Sequence, residues 1–411
     1  MATIAAYTSP AIGHLFPIAG VLHELQRRGH RIRLRTLSSQ VRAMRQLGFD
    51  ADAIDPAIEQ IEFDDWHART LLEGLKRTAE IFCSRGELDG PDLQELLDEA
   101  QPDLVITDIN TWGAAAVAER AGLPWVAFSP YTPAIVSRGC PPYGAGLRPA
   151  VDAAGRLRDA LLERTVTGVA VRLVMPRING MRAKVAGLPH VRSVDEMQRL
   201  PPLTLVTTAE PLEYPHDDWE PRLRMVGSTS WEPPVAPPAW LAGVDGPLVL
   251  VTTSSEYQGD TEIVRAAVHG LRDEPVTVVA TMPARVRLGI DVPGNARIVD
   301  FVPHSAVLER AVCAVSHGGM GVTQKALGLG VPVVVVPWGR DQHEVAARVE
   351  HAGCGVRVNR GQLTPERVRD AVRRARRMRA GAEAVAAGFE AAGGAARAAE
   401  LVEEQLALQR R

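Results

Sequence analysis

Short apolar segments alternate with longer helical stretches along this chain, and the alternation runs twice. That pattern is a strong constraint. A strand buried on both faces reads as an unbroken apolar run, and joining two such strands in parallel needs a helix-long crossover. The expected product is a mostly parallel sheet with helices on both faces. In the first half, strands are predicted at Thr3–Tyr7, Arg31–Leu37, Leu104–Asp108, Trp125–Phe128, Leu203–Thr207 and Leu223–Val226. Arg31–Leu37 alternates arginine with aliphatics, the period of two that suits a strand with one wet face. Helices are predicted at Phe16–Arg28, closed by Gly29, at Thr111–Ala121, closed by Gly122, and over about 151–185. In the second half, strands are predicted at Leu248–Thr253, Val276–Ala280, Arg297–Phe301, Ala311–Ser316 and Val331–Pro337. Thr364-Pro365-Glu366 combines a cap, a first-turn proline and an acid, so a helix should start there. The tail over about 383–411 should be mostly helix.

Two segments break the rhythm. Ser129–Gly146 is rich in proline and glycine, and a loop of that length in a compact domain is usually functional. Residues 227–247 carry Pro233, Pro234, Pro237, Pro238 and Pro247, a composition that makes a stiff connector. The 411 residues therefore divide into a domain over 1–226, a linker over 227–247, a second domain over 248–390 and a terminal helix over 391–411. A cleft between two such domains is a favoured ligand site.

Composition removes several functions. Forty-six basic against 49 acidic residues leave a net charge of -3, with no electrostatic footprint for nucleic acid or anionic membrane. No apolar run is long enough to span a membrane. The four cysteines, Cys83, Cys140, Cys313 and Cys354, form no CxxC pair, which disfavours a zinc ribbon or redox motif. With no basic region ahead of the first apolar stretch, a soluble cytoplasmic protein is expected. Only Lys76, Lys184 and Lys325 are lysines, so the position of each is worth following.

Ser316-His317-Gly318-Gly319-Met320-Gly321-Val322-Thr323-Gln324-Lys325 follows an apolar strand and precedes a helical pattern. Strand, glycine turn and helix N-terminus make an anion site, because free N–H groups point outward and the helix dipole favours negative charge. A tight turn that binds nothing is the plain alternative. The segment is neither a P-loop nor a GxGxxG fingerprint, and the first strand lacks that fingerprint too. Trp338-Gly339-Arg340-Asp341-Gln342 lies at the end of the Val331–Pro337 run, where α/β sheets bind ligands. A carboxylate beside an amide suits a polyhydroxylated ligand, although Asp341 could equally cap the next helix. His14, in Gly13-His14-Leu15-Phe16-Pro17, follows the first strand and is a candidate base near neutral pH. Asp108, ending another strand, is the best-placed carboxylate to orient it. A cap or satisfied core histidine is the plain alternative here. His343-Glu344 begins an HExxH pattern that Ala347 breaks, and Asp50-Ala51-Asp52 reads as solvated.

In combination these elements resemble the family 1 inverting glycosyltransferases of the two-domain GT-B fold, above all bacterial enzymes that glycosylate natural products such as macrolides and polyketides. The resemblance rests on Gly13-His14 with Pro17, Ile106-Thr107-Asp108, Thr252-Thr253-Ser254-Ser255, Phe301-Val302-Pro303-His304, His317-Gly318-Gly319 and Asp341-Gln342, and it covers the whole chain. It implies that His14 deprotonates the acceptor hydroxyl and that Asp108 orients it. It implies a diphosphate site at Ser254, Ser255, His317, Gly318, Gly319, Met320 and Gly321, a nucleobase near Val302 and His304, and sugar contacts from Trp338, Asp341 and Gln342. The aglycone would meet Ile12, Phe16, Trp66, Trp112, Tyr131, Pro142 and the 129–146 loop. The implied partners are a nucleotide sugar and a small aglycone, without metal, cofactor, nucleic acid or membrane span; a homodimer is compatible with this. The terminal helix would return to the first domain.

Three residues depart from the family pattern. Val322 stands where a serine or threonine is usual, with Thr323 next to it as a substitute. Lys325 stands where a glutamate bonds the ribose, and Val345 where an asparagine follows the Asp-Gln pair. A lysine cannot accept a hydrogen bond. This favours a dTDP-deoxysugar over UDP-glucose and leads to the expectation that Lys325→Glu shifts preference towards ribonucleotide donors. Two alternatives stay open: a non-catalytic auxiliary protein of the same fold, and a nucleotide-sugar epimerase. Oxygen- and carbon-glycosylation are not separated.

Overall fold

The computed structural model describes residues 1–411 except 65–67, 69, 220, 256–257, 283–288 and 410–411. Among the described residues, thirteen strands form two wholly parallel sheets. The first holds β1 (Thr3–Tyr7), β2 (Arg31–Thr36), β3 (Asp50–Ala53), β4 (Leu104–Asp108), β5 (Trp125–Ser129), β6 (Leu203–Val206) and β7 (Leu223–Met225), in the order β3-β2-β1-β4-β5-β6-β7. The second holds β8 (Leu248–Thr252), β9 (Thr277–Thr281), β10 (Ala296–Val299), β11 (Ala311–Ser316), β12 (Val333–Val335) and β13 (Gly355–Arg357), in the order β10-β9-β8-β11-β12-β13.

Each order reverses direction at one place, between β1 and β4 in the first sheet and between β8 and β11 in the second. The loops that leave adjacent strands there diverge to opposite faces, and the crevice so opened is where such sheets take ligands. His14 and Asp108 follow β1 and β4. Ser254 and His317 follow β8 and β11. Both switch points thus carry the residues that stood out in the sequence.

β3 and β13 are strands the sequence reading missed. Asp50 and Asp52, read as solvated after a helix, lie on β3. Asp50 pairs with Arg31 at 2.8 Å and Arg33 at 3.1 Å of β2, and Asp52 with Arg45 of the helix Val41–Gln46 at 2.7 Å, so the acidic pair is neutralised. A four-residue strand built of acids and alanines carries no apolar signature. The first helix runs Ile12–Arg27, four residues earlier than the predicted start at Phe16. Pro17 hides that start in the sequence: it falls in the second turn and leaves the Gly13 carbonyl without an i+4 N–H partner. His14 therefore sits in the first turn of a helix and not in a turn ahead of it.

Apolar side chains fill both faces of each sheet. The final helix, Gly394–Gln409, places Ala398, Leu401, Val402 and Leu406 in the core of the first sheet, together with Ile18, Leu22 and Leu25 of the opening helix. Arg28 and His30 clasp its Glu403 at 2.9 and 3.1 Å. The chain thus ends against the domain in which it began. Among the described residues no helix is long and apolar enough to cross a membrane.

Candidate active site

His14 Nδ1 lies 2.7 Å from Asp108 Oδ2, and Asp108 is wholly buried. The other carboxylate oxygen accepts the Asn110 backbone N–H at 2.9 Å. Thr111 closes the turn by donating both its N–H and its hydroxyl to the Asp108 carbonyl. The carboxylate is therefore held on both oxygens before any ligand arrives. A carboxylate only accepts, so it calls for the His14 proton on Nδ1 and leaves a lone pair on Nε2. Asn110 Nδ2 stands 3.3 Å from that Nε2, and the Tyr131 hydroxyl donates to Asn110 Oδ1 at 2.6 Å. The Tyr131 ring meets the imidazole edge-on at 5.8 Å.

Across the cleft, Gly318 follows β11 with a φ of +91°, and a Cβ there would fall 2.5 Å from Val335 Cγ1. Glycine is needed at this position on both counts. Gly319 precedes the helix Met320–Gly328, whose first N–H groups receive no side-chain cap. Gly321 faces open space. His317 lies over Gly319, and its buried Nδ1 has no hydrogen-bond partner among the described residues, with Asp260 Oδ2 at 3.7 Å. Burial, aided by Arg340, brings the His317 pKa down to about 3, so the ring is neutral near pH 7. Asp260 also accepts the Ser254 N–H at 2.6 Å, which fixes the loop after β8; Ser255 is exposed. Thr253 Oγ1 is another buried polar atom without a partner among the described residues. Free N–H groups, a neutral imidazole and nearby hydroxyls form a cradle with the chemistry of an anion site.

The Asp341 carboxylate makes no capping bond to the helix Gln342–His351, so the cap reading fails. Burial raises its pKa, while His14 and Arg340 act in the other direction, which puts all three groups within electrostatic reach. Arg340 has a φ of +55°, unusual for a side-chain-bearing residue, and its guanidinium stacks on Phe63 at 4.5 Å. It spans the two domains beside the cleft. Asn110 and Asp260 were not among the residues picked from the sequence, because neither belongs to a recognisable motif, and Arg340, though within the Trp338–Gln342 segment, was given no role there. The signal that finds Arg340, a left-handed backbone, exists only in three dimensions.

Other expected residues are placed differently. Thr323 is buried and its hydroxyl returns to the Gly319 carbonyl at 2.9 Å, so it does not stand in for the residue missing at Val322. Val322 is partly buried against the second domain's core, where Met320 and Val302 also pack. Met320 thus offers its backbone to the cradle, and Val302, 1% exposed, offers no side-chain surface to a base. Gln342 Oε1 accepts the N–H groups of Trp338 at 2.7 Å and Gly339 at 3.1 Å, while its Nε2 donates to Gln258 at 3.0 Å. Its side chain holds the loop together, a different task from the expected sugar contact. Trp338 Nε1 is buried without a partner among the described residues, and Arg360 stacks on its ring at 4.7 Å.

Lys325 is not an isolated charge. Its Nζ meets Glu232 Oε1 of the linker at 2.6 Å, and Glu232 Oε2 accepts the Ser305 N–H at 3.2 Å. His304, beside Ser305, bonds Thr281 at 3.1 Å, and burial together with Lys325 brings its pKa down to about 4. A carboxylate therefore does reach this region, supplied from another part of the chain. On the first-domain side, Phe16 packs edge-to-face on Trp231 at 5.3 Å and is committed to the linker; Ile12 is partly buried against the same core. Trp112 meets Phe82 at 5.0 Å, and Phe82 stacks on Phe63, which links it to the Arg340 side of the cleft. Tyr131 lies beside His14, and Pro142 is partly buried in the 129–146 loop. Trp66 lies outside the described residues.

Known proteins resemble this chain over most of its length. A family model described as erythromycin biosynthesis protein CIII-like, C-terminal domain, matches residues 267–407. The chain is 33% identical over 387 residues to 4'-demethylrebeccamycin synthase of Lentzea aerocolonigenes, covering 90% of this chain and 91% of that protein. The chain belongs to the antibiotic-biosynthesis glycosyltransferases. Demethyllactenocin mycarosyltransferase of Streptomyces fradiae is 27% identical over 434 residues, covering 98% and 86% of the two chains. The calicheamicin glycosyltransferase CalG4 superposes with a TM-score of 0.73 at 21% identity, covering 99% of this chain and 98% of that one. The two parallel sheets are thus those of a GT-B glycosyltransferase.

Proposed function

We propose that this glycosyltransferase moves a deoxysugar from a thymidine diphosphate donor to a hydroxyl of an apolar aglycone, with inversion at the anomeric carbon. The observation that carries this reading is His14 held at 2.7 Å by the buried Asp108 at the switch point of the first sheet. His14 Nε2 takes the proton of the acceptor O–H. The freed oxygen forms the new bond to the anomeric carbon as the bond to the diphosphate oxygen breaks, and the electron pair leaves with the diphosphate. The uncapped N–H groups at Met320–Val322, neutral His317 and the Arg340 charge meet the growing negative charge. Asp341 contacts the sugar hydroxyls, and the aromatic group around Trp112 and Tyr131 borders the aglycone.

The thymidine preference rests on Lys325 and Glu232. Each Glu232 oxygen already carries one hydrogen bond, so the pair offers a ribose 2′-hydroxyl less than a free carboxylate would. The reaction needs no metal in this reading, because backbone dipole, imidazole and guanidinium take that part. Chelator treatment should leave turnover unchanged, and a loss restored by a divalent cation would refute this point. The decisive experiment is a donor screen with one phenolic acceptor, run on the wild type and on His14→Ala. The expected result is a higher kcat/KM for dTDP-sugars than for UDP-sugars and a loss of roughly 10²–10⁴ in the mutant. Wild-type turnover in His14→Ala would overturn the mechanism, a UDP preference would overturn the donor, and product formed without acceptor would favour epimerisation.

A further inference from the structure

We infer that Asn110, oriented by Tyr131, is a positioning residue that keeps the proton-accepting nitrogen of His14 unprotonated. The inference rests on the proposed role of His14 as base.

The Tyr131 hydroxyl lies 2.6 Å from Asn110 Oδ1. The hydroxyl donates in this bond, and burial together with the negative charges of Asp108 and Asp341 keeps the phenol protonated. With Oδ1 engaged by Tyr131, Nδ2 is turned towards His14 Nε2 at 3.3 Å. An amide nitrogen donates and never accepts. Nε2 must then present its lone pair, and the ring proton must sit on Nδ1, facing Asp108 at 2.7 Å. Two groups on opposite sides of the imidazole thus select the same tautomer.

Their effects on the charged ring are opposite. Asp108 favours the imidazolium. Asn110 Nδ2 disfavours it, because a proton on Nε2 would meet another donor, and a hydrogen bond made only to the neutral form lowers a base's pKa. Among the described residues, the titratable groups near His14 include Asp108 at the end of β4, Tyr131 after β5 and Asp341 at the start of the helix Gln342–His351; Arg340 adds a positive charge beside Asp341. The two carboxyl groups, Asp108 and Asp341, can carry negative charge and would hold the ring protonated, while Tyr131 stays neutral. Asn110 counters them at the atom where the acceptor must dock. Nε2 has a single in-plane lone pair, so an arriving acceptor hydroxyl replaces the amide there.

The test is the pH profile of kcat/KM. A required unprotonated base gives a limb that rises with pH through the base's pKa. Asn110→Ala removes the opposing donor. Tyr131→Phe frees the amide to turn its oxygen to Nε2–H and so to favour the imidazolium. Both should move the limb to higher pH by about half a unit or more, read as about a threefold deficit below the limb that closes above it. Asn110→Asp, nearly isosteric, places a carboxylate at Nε2 and should move it furthest. Nitrogen NMR of the His14 ring gives a readout apart from turnover: the fraction of Nε2-protonated ring at a fixed pH should rise in Tyr131→Phe. Limbs and NMR signals that coincide with wild type, or losses equal at every pH, would overturn the inference. Wild-type turnover in His14→Ala would overturn this inference together with the base reading. An inactive His14→Ala alongside unmoved limbs would overturn this inference alone.

Discussion

Two residues show how far a single position depends on its partner. Asp108 fixes the His14 tautomer, and Asp108→Asn should cost about 10³–10⁴ in kcat, because an amide can present its donor to Nδ1 and favour the wrong ring proton. Steady-state kinetics on folded protein checks this; a mutant within tenfold of wild type would remove Asp108 from the mechanism. Lys325 teaches the converse. From sequence it was a lysine in an acid's place, and Lys325→Glu was expected to retune donor choice. With Glu232 at 2.6 Å, that mutation sets two partly buried carboxylates against each other. It should lower the melting temperature, and Lys325→Glu combined with Glu232→Lys should regain most of the loss. Thermal melts of the three variants decide this; additive losses would show that the pair contributes nothing as a pair.

At the scale of elements, the phosphate cradle depends on one backbone turn. Gly318 combines a positive φ with a Cβ direction blocked by Val335 of β12. Gly318→Ala should cost about 1–3 kcal/mol and move the first turn of the Met320–Gly328 helix. Calorimetric titration with dTDP should then show weaker binding; unchanged affinity would mean the cradle lies elsewhere. The glycine-rich turn, the strand before it and the helix after it were all legible in the chain. The side chains around it were less so. Thr323 faces inward because the helix begins at Met320 and so turns position 323 to the core, a matter of phase that no motif states.

Across the whole molecule, the two domains are locked by buried charge. Arg348 meets Glu213 of the first domain at 2.7 Å and Glu344 at 2.8 Å, and Glu344 in turn accepts the N–H groups of Gly144 and Gly146 at 2.9 and 2.7 Å. The 129–146 loop, expected to border the aglycone, is thereby fastened to the helix that starts beside Asp341. Arg348→Met removes the guanidinium from two buried carboxylates and should cost about 3–5 kcal/mol by urea denaturation; a loss under about 1 kcal/mol would show the lock is absent in solution. Burial alone would raise the Glu213 pKa, but Arg348, His216 and Thr132 bring it down to about 2 from an ordinary 4.5. A depressed carboxyl pKa gives stability that is present above pH 4.5 and lost as pH falls towards 2. Glu213→Gln should therefore show a shallower loss of melting temperature over that window than wild type.

The chain alone was enough to predict two parallel α/β domains, because most buried strands and crossover helices leave a periodic apolar trace, even though short polar strands such as β3 leave none. The same trace put His14, Asp108 and His317 at strand ends, the places where such sheets bind ligands. What it could not carry were relations between residues distant in sequence and close in space. Glu232 beside Lys325, Arg340 bridging to Phe63, Gln342 turned inward and the Asn110–Tyr131 pair behind His14 all depend on how the sheets and helices are docked. A hydrogen bond is directional and short, so a shift of one residue in register or one step in helical phase makes or breaks it. Only the tertiary structure sets those distances.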